Sequence, residues 1–166
     1  MRTHVLDTSC FVPLPRARVF EFFSDAFNLE AITPAFLRFH VATPAPIAMR
    51  PGLLIDYRLR LRGLPMRWRS EITAFDPPVR FVDEQRRGPY RLWHHEHLFE
   101  DAPARADRPA GTLVRDVVTY AHHGGPLVHR LLVRPELEKI FAYRQRRIAE
   151  LLGAPNGGAP GMLSGC

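Results

Sequence analysis

The sequence predicts an α+β domain in which an antiparallel sheet of about six or seven strands precedes one long C-terminal helix. Two observations carry this. Between Gly52 and Ala121, apolar and polar residues alternate in runs separated by Gly and Pro turns, the period-2 mark of strands with one wet face. From about Pro135 to Leu152, Leu137, Ile140, Phe141, Ile148, Leu151 and Leu152 recur at three- and four-residue steps. Pro suits the first turn of that helix and Gly153 its stop. At 1.5 Å per residue the helix is ~27 Å long, a match for the strands before it. A third observation bears on function. Arg144 falls in the middle of the apolar stripe, so its stem packs while its head snorkels to water, or it pairs with a buried carboxylate, Asp116 or Asp83, or it meets a ligand in a cavity.

The 166 residues suffice for one domain with a real core, expected over 1–152, with a disordered Gly/Pro/Ala-rich tail over 153–166. No segment approaches the ~20 apolar residues of a membrane span. No signal-peptide succession opens the chain, so a cytoplasmic location is expected. Cys10 and Cys166 stand in no CxxC or Cys/His spacing and read as thiols in a reducing compartment. The net charge of +6 raises nucleic acid as a partner. The basic residues are spread along the chain, however, and all but Lys139 are Arg.

Taken in order, residues 3–14 are extended and β-prone, ended by Pro13 and Pro15. Pro15–Ser24 reads as a short helix with Val19, Phe20 and Phe23 on one side. A second, Asn28 to Ile32, stops where Thr33 precedes Pro34. Leu37–Thr43 reads as a strand. Gly52–Arg62 alternates Ile55, Tyr57, Leu59 and Leu61 against Asp56, Arg58, Arg60 and Arg62. After a Gly63-Leu64-Pro65 turn, Trp68, Ser70, Ile72 and Ala74 share one face. The outer face of this hairpin carries Arg58, Arg60, Arg62, Arg67 and Arg69, with no interleaved aromatics on which bases could stack. Val79–Arg87, Tyr90–Glu100 and Gly111–Ala121 are the remaining strands, and Leu127–Val133 reads as a helical lead-in to the last helix.

The chemistry concentrates on the inner face of these last strands. In Tyr90–Glu100, alternation puts His95 and His97 on one side with Trp93 and Phe99, and the large aromatics make that side the inward one. With Thr112, Val114, Asp116, Val118 and Tyr120 also inward, the inner face holds Asp83, Gln85, His95, His97, Asp116, Tyr120 and Arg144 among Phe81, Trp93, Phe99 and Trp68. Such polarity either satisfies itself or lines a wet or ligand-filled pocket. Three readings of the His pair stay open. It is a structural network with Asp or Tyr, an acid/base or ligand-orienting pair, or part of a metal site completed by Asp116 or His122. No third ligand is fixed by spacing, so no metal and no cofactor are expected. There is no GxSxG, no Cys/His nucleophile pattern and no Gly-rich phosphate loop.

Specific runs resemble a known superfamily. They are Val19-Phe20-Glu21-Phe22-Phe23-Ser24-Asp25, Asn28-Leu29 and Ile32-Thr33-Pro34 near the start, then Trp68 and Ile72. Phe81-x-Asp83-x-Gln85 with Gly88-Pro89-Tyr90 follows, then Trp93-x-His95-x-His97-x-Phe99 and Ile140-Phe141-x-Tyr143-Arg144. Over about residues 3 to 152 the chain resembles the START-like SRPBCC superfamily, specifically its small ligand-binding proteins, some of which are fused to sugar-nucleotide-epimerase-like domains. The resemblance implies the helix-grip fold, a curved antiparallel sheet wrapped around the C-terminal helix with two short helices after the first strand. It also implies a hydrophobic pocket between sheet and helix. Superfamily members bind lipids, polyketides, sterols or plant hormones, and some are aromatase/cyclases.

The leading expectation is a binder of a small, largely hydrophobic molecule with a polar or acidic group, lined by Trp68, Phe81, Asp83, Gln85, Trp93, His95, His97, Phe99, Asp116, Tyr120 and Arg144. The alternative is a cyclase, dehydratase or hydrolase using His95 or His97 with Asp116 or Tyr120 as acid and base. A third reading is an interaction module that uses the Arg-rich hairpin face. No sequence-specific nucleic-acid partner is expected.

Overall fold

The computed structural model describes residues 1–153. Strand β1 (His4–Val12) leads into two short helices, α1 (Arg16–Ser24) and α2 (Asn28–Ala31), and a 3₁₀ turn at Ala35–Leu37. Six strands follow: β2 (His40–Val41), β3 (Leu54–Leu61), β4 (Leu64–Asp76), β5 (Arg80–Arg87), β6 (Leu92–Ala102) and β7 (Gly111–Ala121). They form one antiparallel sheet in the order β1-β7-β6-β5-β4-β3-β2. Because β1 and β2 lie at opposite edges, α1 and α2 carry the chain across the sheet. The chain then closes with α3 (Gly125–Val128), a π-helical turn at His129–Val133, and α4 (Arg134–Leu152). The lead-in expected over Leu127–Val133 is thus helical and continuous with the last helix.

Helix α4 buries Leu137, Phe141, Arg144 and Ile148, one stripe at steps of four and three. Leu151, expected on that stripe, is exposed. At one end Ile148 joins Val12, Val19, Phe20, Phe81, Phe99 and Val114 in a core closed by α1. At the other, Leu137 and Phe141 pack with Trp93, Val118 and Tyr120. Sheet and helix are therefore held together at both ends, and the space between the two clusters is left to the site.

Three local expectations are corrected. Leu37–Thr43 is mostly not a strand: Pro34 starts a 3₁₀ turn, Arg38 adopts φ 42°, and only His40 and Val41 pair with β3. The hairpin turn falls at Arg62-Gly63, both at positive φ, the conformation a two-residue hairpin loop needs. This turns Arg62 out of the basic row, so that it binds Glu136 (3.2 Å) and the Leu132 carbonyl (3.1 Å) of the closing helix. In β4, Ile72 pairs with Asp83 and Ala74 with Val82, which leaves Thr73 as an extra residue. That bulge reverses the parity, so Phe75 rather than Ala74 packs on the core, against Phe20. The tail expected over 153–166, with Cys166, lies outside the described residues except for Gly153.

Candidate functional site

The odd-numbered residues of β6, Trp93, His95, His97 and Phe99, are all buried, and His94 points away to bond Glu84 at 3.1 Å. Strand register then dictates the chemistry. Asp83 of β5 stands directly opposite His95, and Asp116 of β7 directly opposite His97. The four side chains close into a square. His95 Nε2 donates to Asp116 Oδ1 at 2.9 Å, and His97 Nε2 donates to Asp83 Oδ2 at 3.2 Å. Carboxylates only accept, so the imidazole must carry the proton in each bond. His95 Nδ1 also lies 3.5 Å from Asp83, and His97 Nδ1 lies 2.9 Å from Asp116. The last contact is too poorly aligned to count as a hydrogen bond, so it acts through charge. The square continues along the wall, because Ser70 donates to Asp83 Oδ1 (3.1 Å) and Trp68 Nε1 donates to Ser70 (3.0 Å).

Environment separates the two imidazoles. Burial, together with the neighbouring charge of His97, lowers the His95 pKa. Burial also works against charge on His97, but hydrogen bonds and attraction from Asp116 and Asp83 outweigh it and raise that pKa. Burial likewise opposes ionisation of Asp116, and the two histidines overcome it, holding this carboxyl well below its ordinary value. Asp83 is lowered for the same reasons. The square therefore favours ionised carboxylates, charge on His97 and the neutral form of His95.

The square forms part of the wall of a cavity of about 170 Å³ between sheet and helix. Of the site residues named from the sequence, Trp68, Phe81, Asp83, Trp93, His95, His97 and Arg144 line it. Four of the expected residues do not. Asp116 sits behind the His pair. Gln85 is spent on the backbone of Tyr90, donating to its carbonyl (2.7 Å) and accepting from its N–H (3.2 Å). Phe99 packs edge-on against Phe20 and Phe23 in the core. The Tyr120 hydroxyl is 3.0 Å from His129 Nε2, outside the cavity. Conversely, Ser70, Tyr57 and Phe141 line the cavity although the sequence does not single them out. Inward parity marks Ser70 and Tyr57, and the helical stripe marks Phe141, but nothing in the sequence separates lining from packing. Burial and the nearby Asp83 raise the Tyr57 pKa, so its phenol stays a protonated donor.

Arg144 does not pair as expected. It is 9% exposed, and among the described residues its guanidinium makes no ion pair and no hydrogen bond. It lies over the Phe141 ring, with Cζ 4.9 Å from the ring centre. Both carboxylates within the site are already taken by histidine.

The Asp83, His95 and His97 ligand atoms lie within 4.8 Å of one another. Both Nε2 atoms, however, donate protons to carboxylates, so a metal at this cluster would have to displace at least the His97–Asp83 bond.

A curved antiparallel sheet around a long closing helix, with a lined cavity between them, is the helix-grip fold of START-like (SRPBCC) proteins. In sequence the chain matches no family model and no curated protein. In structure it is similar to protein Ms6760 from Mycobacterium smegmatis (TM-score 0.64, 18% identity, 90% of each chain). It is also similar to the major latex-like protein 151 of Panax ginseng (TM-score 0.64, 13% identity, 90% of this chain and 97% of that one). A third similarity, at 27% identity and TM-score 0.61, is to a nucleoside-diphosphate sugar epimerase from Corynebacterium glutamicum, covering 89% of this chain and 29% of that one. Among the described residues no helix is long and apolar enough to cross a membrane.

Proposed function

We propose that this domain binds a small, largely apolar molecule that carries an acidic or carbonyl oxygen. The observation that carries this is Arg144, a buried guanidinium without a protein partner at the wall of a mainly apolar cavity. A buried charge is normally paired. Here the missing partner is supplied by the ligand, whose oxygen accepts from the guanidinium while its apolar body lies against Trp68, Trp93 and Phe81. Native mass spectrometry of protein purified from its own host tests this. A co-purifying small molecule with an acidic or carbonyl group is expected. A protein that carries nothing, and from which no fatty acid displaces a fluorescent apolar probe, refutes it.

A second reading is acid–base catalysis of the cyclase or dehydratase kind. It is favoured by His95 and His97 at the cavity wall, their rings 3.8 Å apart and their pKa values moved in opposite directions. Here His95, with its lowered pKa, is the base and His97, with its raised pKa, the acid. Turnover of polyketide-like probes that is lost in His97→Ala separates this reading from binding alone.

A further inference from the structure

Outside the cavity, at the far end of the closing helix, a second histidine cluster has no role in the binding site. His4 opens β1 and pairs in register with Tyr120 of β7. His122 follows two residues on, just past the strand. Gly124 and Gly125, both at positive φ, then turn the chain back so that His129, first residue of the π-helical turn, stacks on His4 at a ring distance of 3.5 Å. Single π-turns of this kind recur at functional sites. Each of the three rings offers a nitrogen, and these atoms lie within 4.8 Å of one another.

We propose that His4, His122 and His129 form a surface site for a divalent transition-metal ion of the zinc class. The argument rests first on donor chemistry. Three imidazoles with no carboxylate or thiolate suit zinc, nickel or copper rather than magnesium or calcium. A zinc–nitrogen bond of 2.0–2.1 Å puts tetrahedral ligand atoms on the order of 3.3 Å apart, so the half-buried rings, nearly parallel here, would turn out of their stack to close on an ion. Second, the other side of two rings is already held. His122 Nδ1 donates to the His123 carbonyl at 2.6 Å, and His129 Nε2 meets the Tyr120 hydroxyl at 3.0 Å. Such oxygen partners orient metal-bound imidazoles. His4 and His122 also line a cavity of about 250 Å³ together with Arg2, Arg91 and His123. Two guanidiniums there oppose a bare cation but favour an anion or hydroxide as the fourth ligand.

The test uses the full chain without an affinity tag, with ZnCl₂ alone as probe, followed by calorimetry and thermal unfolding at pH 7.5. One ion per chain and a rise in Tm are expected. His4→Ala, His122→Ala and His129→Ala should each weaken the affinity at least ~10-fold. His122 lies in a turn, so that variant keeps the test valid if His4→Ala disturbs β1. His94→Ala should bind zinc as the parent does. Absence of saturable 1:1 binding overturns the proposal. So does loss of binding in His95→Ala or His97→Ala with the three surface variants unaffected, which would assign the ion to the cavity.

Discussion

Replacing Arg144 by methionine should make the protein more stable and a worse binder, opposite signs that only a buried, unpartnered charge can give. Methionine keeps most of the volume and removes the charge. An unsatisfied buried donor costs ~1–3 kcal/mol, and Arg144 Nε is such a donor. The stack over Phe141 returns ~0.5–2 kcal/mol, which methionine partly keeps through sulfur–ring contact. The expected net gain is about 1 kcal/mol, a Tm rise of ~2–4 °C for a chain of this size. For an acid ligand, losing a charge-assisted hydrogen bond costs ~1.5–3 kcal/mol, roughly 10- to 150-fold in Kd. The assay is thermal unfolding of ligand-free protein, then displacement of a fluorescent apolar probe by a medium-chain fatty acid and by the matching alcohol. Arg147→Met, on the surface beside Glu150, should change stability by no more than ~0.5 kcal/mol. A Tm drop of several degrees in Arg144→Met would mean that the guanidinium is structurally paired. Equal losses for acid and alcohol would refute its role in recognising the ligand.

Asp116→Asn should destabilise by ~3–5 kcal/mol, because it removes the buried negative charge that faces both imidazoles. The folded-state pKa of Asp116 lies well below its ordinary value, so its contribution is present above about pH 4 and is lost as pH falls through the folded value. Urea midpoints of parent and variant should therefore converge below about pH 4, and parallel curves down to about pH 2 would count against the assignment. Ring-proton NMR should find His97 titrating above ~6.5 and His95 below it. In stability, the raised His97 helps below ~6.5 and is lost as pH rises through its folded value, whereas His95 helps above ~6.5 and is lost on acidification. A reversed order would exchange acid and base. The triple change Arg58→Ala, Arg60→Ala and Arg67→Ala, all on the exposed face, should leave stability within ~0.5 kcal/mol per site and uncover no sequence-selective nucleic-acid binding lost from the parent. A tight, sequence-selective complex of the parent protein with DNA or RNA at physiological salt would show instead that this face is an interface.

Much of the fold is legible because strands and the closing helix write their burial as a period. Alternation in β3, β6 and β7 and the 3.6-residue stripe of α4 each name one face, and the aromatics Trp93 and Phe99 say which face is inward. What escapes is decided by single backbone features. The extra residue Thr73 moves Phe75 inward, and positive φ at Arg62 and Arg38 relocates a turn and shortens a strand. None of these has a periodic signature. Parity also cannot distinguish a residue facing a cavity from one packed in a core, which is why it groups Phe99 and Tyr120 with His95 and His97.

Arg144 shows where such reading ends and what takes over. Its place in the stripe is plain from the sequence, and so are two carboxylates on the facing strands. Whether they meet depends on cross-strand register, which sets Asp83 opposite His95 and Asp116 opposite His97. With the four residues side by side on three adjacent strands, each histidine reaches the diagonal carboxylate for its hydrogen bond before anything on the helix can. The histidines therefore claim both carboxylates, and the guanidinium is left to face the cavity. The charges that result are separated rather than cancelled. The sheet side, with two carboxylates and one imidazolium, is negative by one, and the helix side is positive by one. On the binding role proposed above, that separation orients the bound molecule. An acidic or carbonyl oxygen is drawn to Arg144 and a hydroxyl or other donor to the Asp83 wall, so one amphipathic molecule satisfies both ends only in one direction.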